Sequence, residues 1–131
     1  MNYESPGRVS VWVGNLQSAD ELSRLLEERG DEPSLFCRSL GTDWIDHDFC
    51  ESLFASDGEN VERFVGYFSY SASFADEAGT AAITLGFSSC NVAIVVYDFD
   101  YRSAPSRAPA AMIFLGSFPY TKSASAKYSR P

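Results

Sequence analysis

The first thirty residues alternate between apolar and polar positions with two different periods. Residues 9–13 (VSVWV) carry valine at every second position and stop at Gly14, which predicts a short β-strand. Ser18 and Glu21 then have the spacing of a capping box, and Gly30 is a suitable residue to end a helix. Between them runs a stripe of leucines that would face a core: Leu22, Leu25 and Leu26. We therefore expect a strand followed by an amphipathic helix.

Helical spacing recurs through the middle of the chain. Residues 31–41 are expected to be irregular, because Pro33 and Gly41 interrupt them. Apolar residues then predict three short helices, over residues 46–55, 61–68 and 74–85. In the last of these, Gly79 costs about 1 kcal/mol relative to alanine, so we expect it to allow a close packing contact.

Two strands are expected in the last third of the chain. Residues 91–99 are rich in Val, Ile, Tyr and Phe and are apolar on both faces, which is typical of a central strand. Residues 111–118 predict the next strand. The predicted order is β-α-α-α-α-β-β, an α+β domain in which helices cover one face of a small, mostly antiparallel sheet. At 131 residues, the whole chain, residues 1–131, is expected to form a single domain.

The charge of the chain is acidic and unevenly distributed. It has 18 acidic and 10 basic residues, a net charge of −8, which argues against direct nucleic-acid binding. Residues 20–62 contain 13 acidic and three basic residues, whereas residues 101–131 contain five basic and no acidic ones. We therefore expect a basic protein partner, and a basic C-terminal tail from about residue 121 that something in the fold holds.

The cysteines and the apolar runs bear on cellular location. Cys37, Cys50 and Cys90 are widely spaced and odd in number, which predicts reduced thiols rather than a disulfide framework or a zinc site. The first residues lack the pattern of a signal peptide, and the longest apolar run, residues 92–97, is too short to span a membrane. We expect a cytoplasmic protein with no membrane partner.

The segment from residue 43 to 51 interleaves carboxylates with aromatic residues around the single histidine, His47. Three readings stay open for its carboxylates: a metal-dependent hydrolase using Asp46, Asp48 and Glu51, solvent-facing helix caps, or a protein-binding surface. Trp44 is either an apolar anchor of such a surface or a core side chain. The common nucleotide-binding, hydrolase and zinc-protease motifs do not occur, so no cofactor, no metal and no enzymatic activity are expected.

Four ordered stretches together resemble the Immunity protein 22 family of bacterial polymorphic toxin systems. They are residues 9–15 (VSVWVGN), 43–51 (DWIDHDFCE), 97–101 (YDFDY) and 114–120 (FLGSFPY). Their order and spacing extend over residues 8–120, nearly the whole chain.

The resemblance implies a single-domain protein that neutralises a cognate toxin by direct binding and performs no chemistry. Such toxins are effectors of contact-dependent or type VI secretion systems and often carry nuclease domains. The expected partner is therefore a basic nuclease, in particular a DNase. A phosphate-binding cleft is basic, which suits an acidic inhibitor. A toxin-free adaptor module remains a further alternative. The residues expected to bind the toxin are Asp43, Trp44, Asp46, Asp48 and Glu51, with Glu59 and Glu62 at the rim.

Overall fold

The computed structural model describes residues 3–42, 44–102, 106–107 and 112–130. Within them lies one five-stranded sheet in the spatial order β2-β3-β1-β5-β4, and each neighbouring pair is antiparallel. Its strands are β1 (Glu4–Gly14), β2 (Cys50–Asn60), β3 (Ser89–Phe99), β4 (Ser106–Arg107) and β5 (Met112–Pro119). The α+β class and the antiparallel sheet expected from the sequence are confirmed.

Four helices pack on the sheet. They are α1 (Ala19–Leu26), α2 (Leu35–Leu40), α3 (Val61–Val65) and α4 (Ala75–Thr84). Side chains cap two of them, because Ser34 accepts from the Cys37 amide before α2 and Asn60 accepts from the Arg63 amide before α3. The capping box expected at α1 does not form: the Ser18 hydroxyl makes no capping bond, and Glu21 accepts from the Gln17 amide and not from the Ser18 amide.

The helices cover both faces of the sheet, not the single face expected. One face carries Val9, Val11 and Val13 of β1 and packs against α3 and α4. The other carries Trp12 and packs against α1 and α2. The two faces arise because successive side chains of a strand point to opposite sides. Side chains on both faces of β1 are therefore buried, and Ser10, between Val9 and Val11, is fully buried as well.

The strand expected over residues 91–99, apolar on both faces, lies in the interior of the sheet, as expected. β3 pairs with β2 on one side and β1 on the other, and residues 92–96 are all buried. The expected strands around residues 9–13 and 111–118 are also present, as β1 and β5.

The segment at residues 46–55 is not a helix, which corrects one element of the predicted order. Only His47–Phe49 forms a single 3-10 turn, and the chain from Cys50 onward is the edge strand β2. Residues 31–41, expected to be irregular, instead contain α2. The first helix also ends at Leu26, four residues before Gly30.

The basic tail is held against the helices. The Ala72 amide donates to the Ser125 carbonyl and the Tyr128 amide donates to the Gly66 carbonyl, both at 2.9 Å. The ring of Tyr128 lies so close to Gly66 that a Cβ there would stand 2.4 Å from the ring. The tail is therefore an ordered strap over α3 and the start of α4.

Candidate functional site

An open groove of about 620 Å³ lies beside the acidic segment, and we call it the acidic groove. Its walls come from the start of β1, from residues 42–49 and from the end of β3. Its apolar lining is mostly buried: Tyr3, Ile45, Val96, Tyr97 and Phe99. Its carboxylates come from three separate parts of the chain: Glu4, Asp46 and Asp98.

Two large aromatic residues of the groove are exposed to solvent. Trp44 is 59% exposed and Phe49 is 38% exposed. The core reading of Trp44 is therefore wrong, and the tryptophan that fills the core is Trp12, which is fully buried. Exposed aromatic side chains are typical of protein-binding surfaces, in which aromatic residues are enriched.

Asp46 and Asp48 sit on either side of His47 in the 3-10 turn. The Asp46 side chain accepts from the Asp48 amide at 3.0 Å, which fixes the start of the turn. Asp48 is exposed. His47, also exposed, pairs through Nε2 with the carboxylate of Glu28. Asp43, expected in the same surface, lies outside the described residues.

Asp98 is fixed at the end of the groove by three contacts. Its Oδ1 accepts from the Gly7 amide at 3.0 Å and from the Tyr120 hydroxyl at 2.6 Å. Its Oδ2 lies 3.9 Å from the Lys122 ammonium. Partial burial opposes ionisation of this carboxyl, but the hydrogen bonds from Tyr120 and Gly7 outweigh it and lower its pKa. Asp98 is therefore charged and oriented at neutral pH.

Glu51 and Glu59, expected at the surface, are both engaged with neighbouring groups of the fold. Glu51 accepts from the Ser69 amide at 3.1 Å. Glu59 accepts from the Tyr67 hydroxyl at 2.9 Å and pairs with Arg63 at 3.4 Å. Neither glutamate lines the acidic groove.

Glu62 binds the C-terminal strap. Its carboxylate accepts from the Tyr128 hydroxyl at 2.7 and 2.9 Å and lies 2.7 Å from the Lys127 ammonium. Partial burial opposes ionisation, yet the hydrogen bonds from Lys127 and Tyr128 lower the pKa of Glu62 below its usual value. Glu62 thus pairs with a basic side chain of its own chain, whereas the sequence predicted a basic toxin as its partner.

The hydrolase alternative required Asp46, Asp48 and Glu51 to converge. The structure brings the first two into one turn, whereas the Glu51 carboxylate is bound to the Ser69 amide. Among the described residues, no group of three or more His, Cys, Asp and Glu side chains is arranged to hold a metal ion. The described part of the chain also has no helix long and apolar enough to cross a bilayer.

Sequence reasoning missed part of the acidic groove. Glu4 and Asp98 belong to it although 94 positions separate them along the chain. They meet because β1 and β3 pair with Glu4 opposite Phe99. The signal available was the Asp98-Phe99-Asp100 run at the end of a predicted central strand, where carboxylates emerge at the edge of the sheet.

The molecule is thus an α+β domain with an antiparallel sheet between two helical layers and an acidic, aromatic groove at one end of that sheet. A family model described as Immunity protein 22 matches residues 9–121, and the chain belongs to that family. The family assignment supports a toxin-neutralising role and confirms the resemblance seen in the sequence. Neither curated proteins nor solved structures give a significant match.

Proposed function

We propose that this protein neutralises a cognate nuclease toxin by binding it directly through the acidic groove and the adjoining turn. The observation that carries the proposal is the exposed surface in which Trp44 and Phe49 stand among Asp46, Asp48 and the carboxylates of the groove. Asp43 belongs to the same segment of sequence and is included in the proposed surface.

Electrostatics favour a nuclease as the target. A cleft that binds nucleic acid is basic because it neutralises phosphates. Carboxylates presented by an inhibitor enter that field, speed association and suppress wrong partners. The net charge of −8 also gives the whole molecule a long-range attraction for a basic target. The inhibitor acts by occupying or shielding the cleft and catalyses nothing, and it acts in the cytoplasm, where an incoming nuclease meets its substrate.

The carboxylates bound within the fold have a secondary place in this proposal. Glu51, Glu59 and Glu62 already accept hydrogen bonds from Ser69, Tyr67 and Tyr128. A toxin contacting them would compete with these bonds, so we expect them to contribute at the rim through their charge.

The test uses the toxin domain encoded beside the gene for this protein. Binding is measured by surface plasmon resonance for the wild type and for the double variant Asp46→Ala with Asp48→Ala, at low and at moderate salt. We expect the affinity of the variant to fall by at least tenfold and its salt dependence to weaken, because truncating a buried interfacial charge costs about 2–5 kcal/mol.

A matched control removes the same amount of charge elsewhere. Asp31→Ala with Asp57→Ala also removes two exposed carboxylates, and neither of them lines the groove. This control should keep the wild-type dissociation rate and lose only a little association rate. Equal losses in both double variants would show that net charge, not this surface, drives binding. A wild-type protein that fails to protect cells from the toxin would overturn the proposed function itself.

A further inference from the structure

We propose that the acidic groove takes the guanidinium group of one arginine of the bound toxin, beside the place where Lys122 of this chain now contacts the rim. This inference rests on the proposed function and names the chemistry that the surface recognises. It is carried by the form of the groove, by its aromatic rim and by the cation already seated against it.

The groove offers negative charge over an apolar lining. Glu4, Asp46 and Asp98 line it from three parts of the chain, and none of its described lining residues is basic. Its volume of about 620 Å³ lies within the range of roughly 300–1,000 Å³ found for sites that bury a ligand. The lining is therefore complementary to a cation whose uncharged part is apolar or planar.

The aromatic rim narrows the choice to arginine. Trp44 and Phe49 both line the groove and both expose ring surface to solvent. A cation over an aromatic ring gains about 0.5–1 kcal/mol at an exposed site, and tryptophan is the best ring for this contact. A guanidinium is planar, so it stacks on such a ring while its fork of N–H groups pairs with a carboxylate such as Asp46.

The chain's own Lys122 places a cation at this rim. Its ammonium lies 5.9 Å from the centroid of the Phe49 ring and 3.9 Å from Oδ2 of Asp98. The Lys122 side chain is 64% exposed, so it rests on the outer edge and does not fill the groove. Lys122 is therefore a weakly held cation beside two lining residues, Phe49 and Asp98, that an arriving guanidinium would also meet.

A competitor of this kind lowers the affinity for any incoming cation. An exposed ion pair is worth about 0.2–1 kcal/mol, which corresponds to a factor of about 1.4–5 in a binding constant. Removing the Lys122 charge should therefore strengthen binding of a cation by up to about fivefold.

The experiment titrates isotopically labelled full-length protein with a short peptide, acetyl-Gly-Arg-Gly-amide, and follows amide and indole signals by NMR. The matched probe replaces arginine with citrulline, which has nearly the same shape but no charge. We expect the arginine peptide to shift the Trp44 indole signal and the amides of residues 44–49. The citrulline peptide should shift them far less.

Variants test the site and the competitor separately. Lys122→Gln should tighten binding of the arginine peptide by a factor of about 1.4 to 5. Arg38→Gln changes the net charge by the same amount at an exposed residue that does not line the groove, and it should leave the affinity unchanged. Trp44→Ala, at an exposed position, should weaken binding severalfold without loss of fold.

Several results would overturn the inference. These are equal shifts from the arginine and citrulline peptides, absence of binding to the groove, or equal effects of Lys122→Gln and Arg38→Gln. If the peptide fails while the protein still neutralises its toxin, the inference falls and the proposed function stands. If the peptide binds but the protein gives no protection, the proposed function falls instead.

Discussion

At the scale of single residues, Glu62 connects segments that are far apart in the sequence. Its carboxylate binds Tyr128 and Lys127 of the strap, and Lys127 in turn contacts Asp76 at the start of α4. The hydrogen bonds to both carboxylates raise the pKa of Lys127. One ionised side chain on α3 thus ties the strap to both helices of its layer.

Protonation of Glu62 should loosen this connection. A carboxyl whose pKa is lower in the folded than in the unfolded state stabilises the fold above its unfolded pKa, and that contribution is lost as pH falls through the folded value. We therefore expect Glu62→Gln to be less stable than the wild type near neutral pH, and the gap to close on acidification below about pH 4. Urea denaturation across this range measures both effects.

Asp57→Asn is the control for this prediction, because Asp57 is an exposed carboxylate of β2. It should keep the wild-type pH dependence. If Glu62→Gln and the wild type lose stability in parallel from neutral to acidic pH, the stabilising role of the Glu62 charge is wrong.

The buried thiols give a second prediction at this scale. Burial raises the pKa of Cys90 and of Cys50 to about 12. The thiolate is the reactive form, so both residues should react slowly with a thiol reagent in the folded protein at neutral pH. Labelling with Ellman's reagent should accelerate strongly in denaturant, where all three free cysteines become accessible. Rapid labelling of Cys90 in the native protein would contradict its burial.

At the scale of elements, the expectations for residues 46–60 show where periodicity is ambiguous. Phe49, Leu53 and Phe54 fit helical spacing, but in the edge strand β2 the residues from Cys50 to Ala55 are half-buried on both faces. A short, partly apolar run at the edge of a sheet carries neither clear alternation nor a clear stripe. Its identity is set by pairing with β3, which the local sequence does not encode.

Other elements were predictable because their local signals agree with their tertiary surroundings. The strand β1 has valine at every second position, β3 is apolar on both faces, and α4 ends near Gly86, which has a positive φ of 78°. The close contact expected at Gly79 is also present, because a Cβ there would lie 2.7 Å from Cβ of Glu62 on α3.

Gly79→Ala tests this contact between α3 and α4. Alanine favours a helix over glycine by about 1 kcal/mol, but forcing extra volume into a packed interface typically costs about 1–3 kcal/mol. We expect the variant to be destabilised by up to about 2 kcal/mol, measured by urea denaturation. Thr80→Ala, at the exposed neighbouring position, should be neutral or slightly stabilising. A more stable Gly79→Ala variant would show that the helices separate freely.

At the scale of the whole molecule, two lysines of the basic tail lie beside carboxylates of the same chain. Lys127 of the basic strap pairs with Glu62 and Asp76, and Lys122 lies beside Asp98. Asp48, in the 3-10 turn beside the acidic groove, stays exposed on another part of the surface. The run of acidic residues in the sequence therefore divides into carboxylates bound internally and carboxylates open to a partner.

Removing the strap tests how much its basic residues and its packing stabilise the fold. A variant that ends at Tyr120 loses Lys122, Lys127 and Arg130 together with the Tyr128 ring that lies against Gly66. We expect it to unfold at a lower urea concentration than the full chain, and the difference to shrink between about 0.02 M and 0.5 M salt as repulsion among carboxylates is screened. A control with Lys122 and Arg130 both changed to Gln separates charge from the strap contacts. A salt-independent difference would assign the effect to packing alone.

Only the contiguous part of the candidate site was predictable from sequence. Trp44, Asp46 and Asp48 stand together in one segment, so composition alone marks them. Glu4 and Asp98 join the groove through strand pairing, and Glu51, Glu59 and Glu62 acquire internal partners through packing. Charge along the chain does not reveal which carboxylates the fold will bind, because that depends on contacts between distant residues.

The central position of β1 determines the order in which the molecule can assemble during synthesis. The ribosome makes β1 first, yet the partners on its two sides are β3 and β5, and Gly14 pairs with Met112, which is made 98 residues later. Until β3 emerges β1 has neither of these partners, and until β5 emerges one of its edges stays unpaired, which is the kind of edge that promotes aggregation. β1 is therefore paired on both sides only after residues 112–119 emerge, late in the synthesis of the domain.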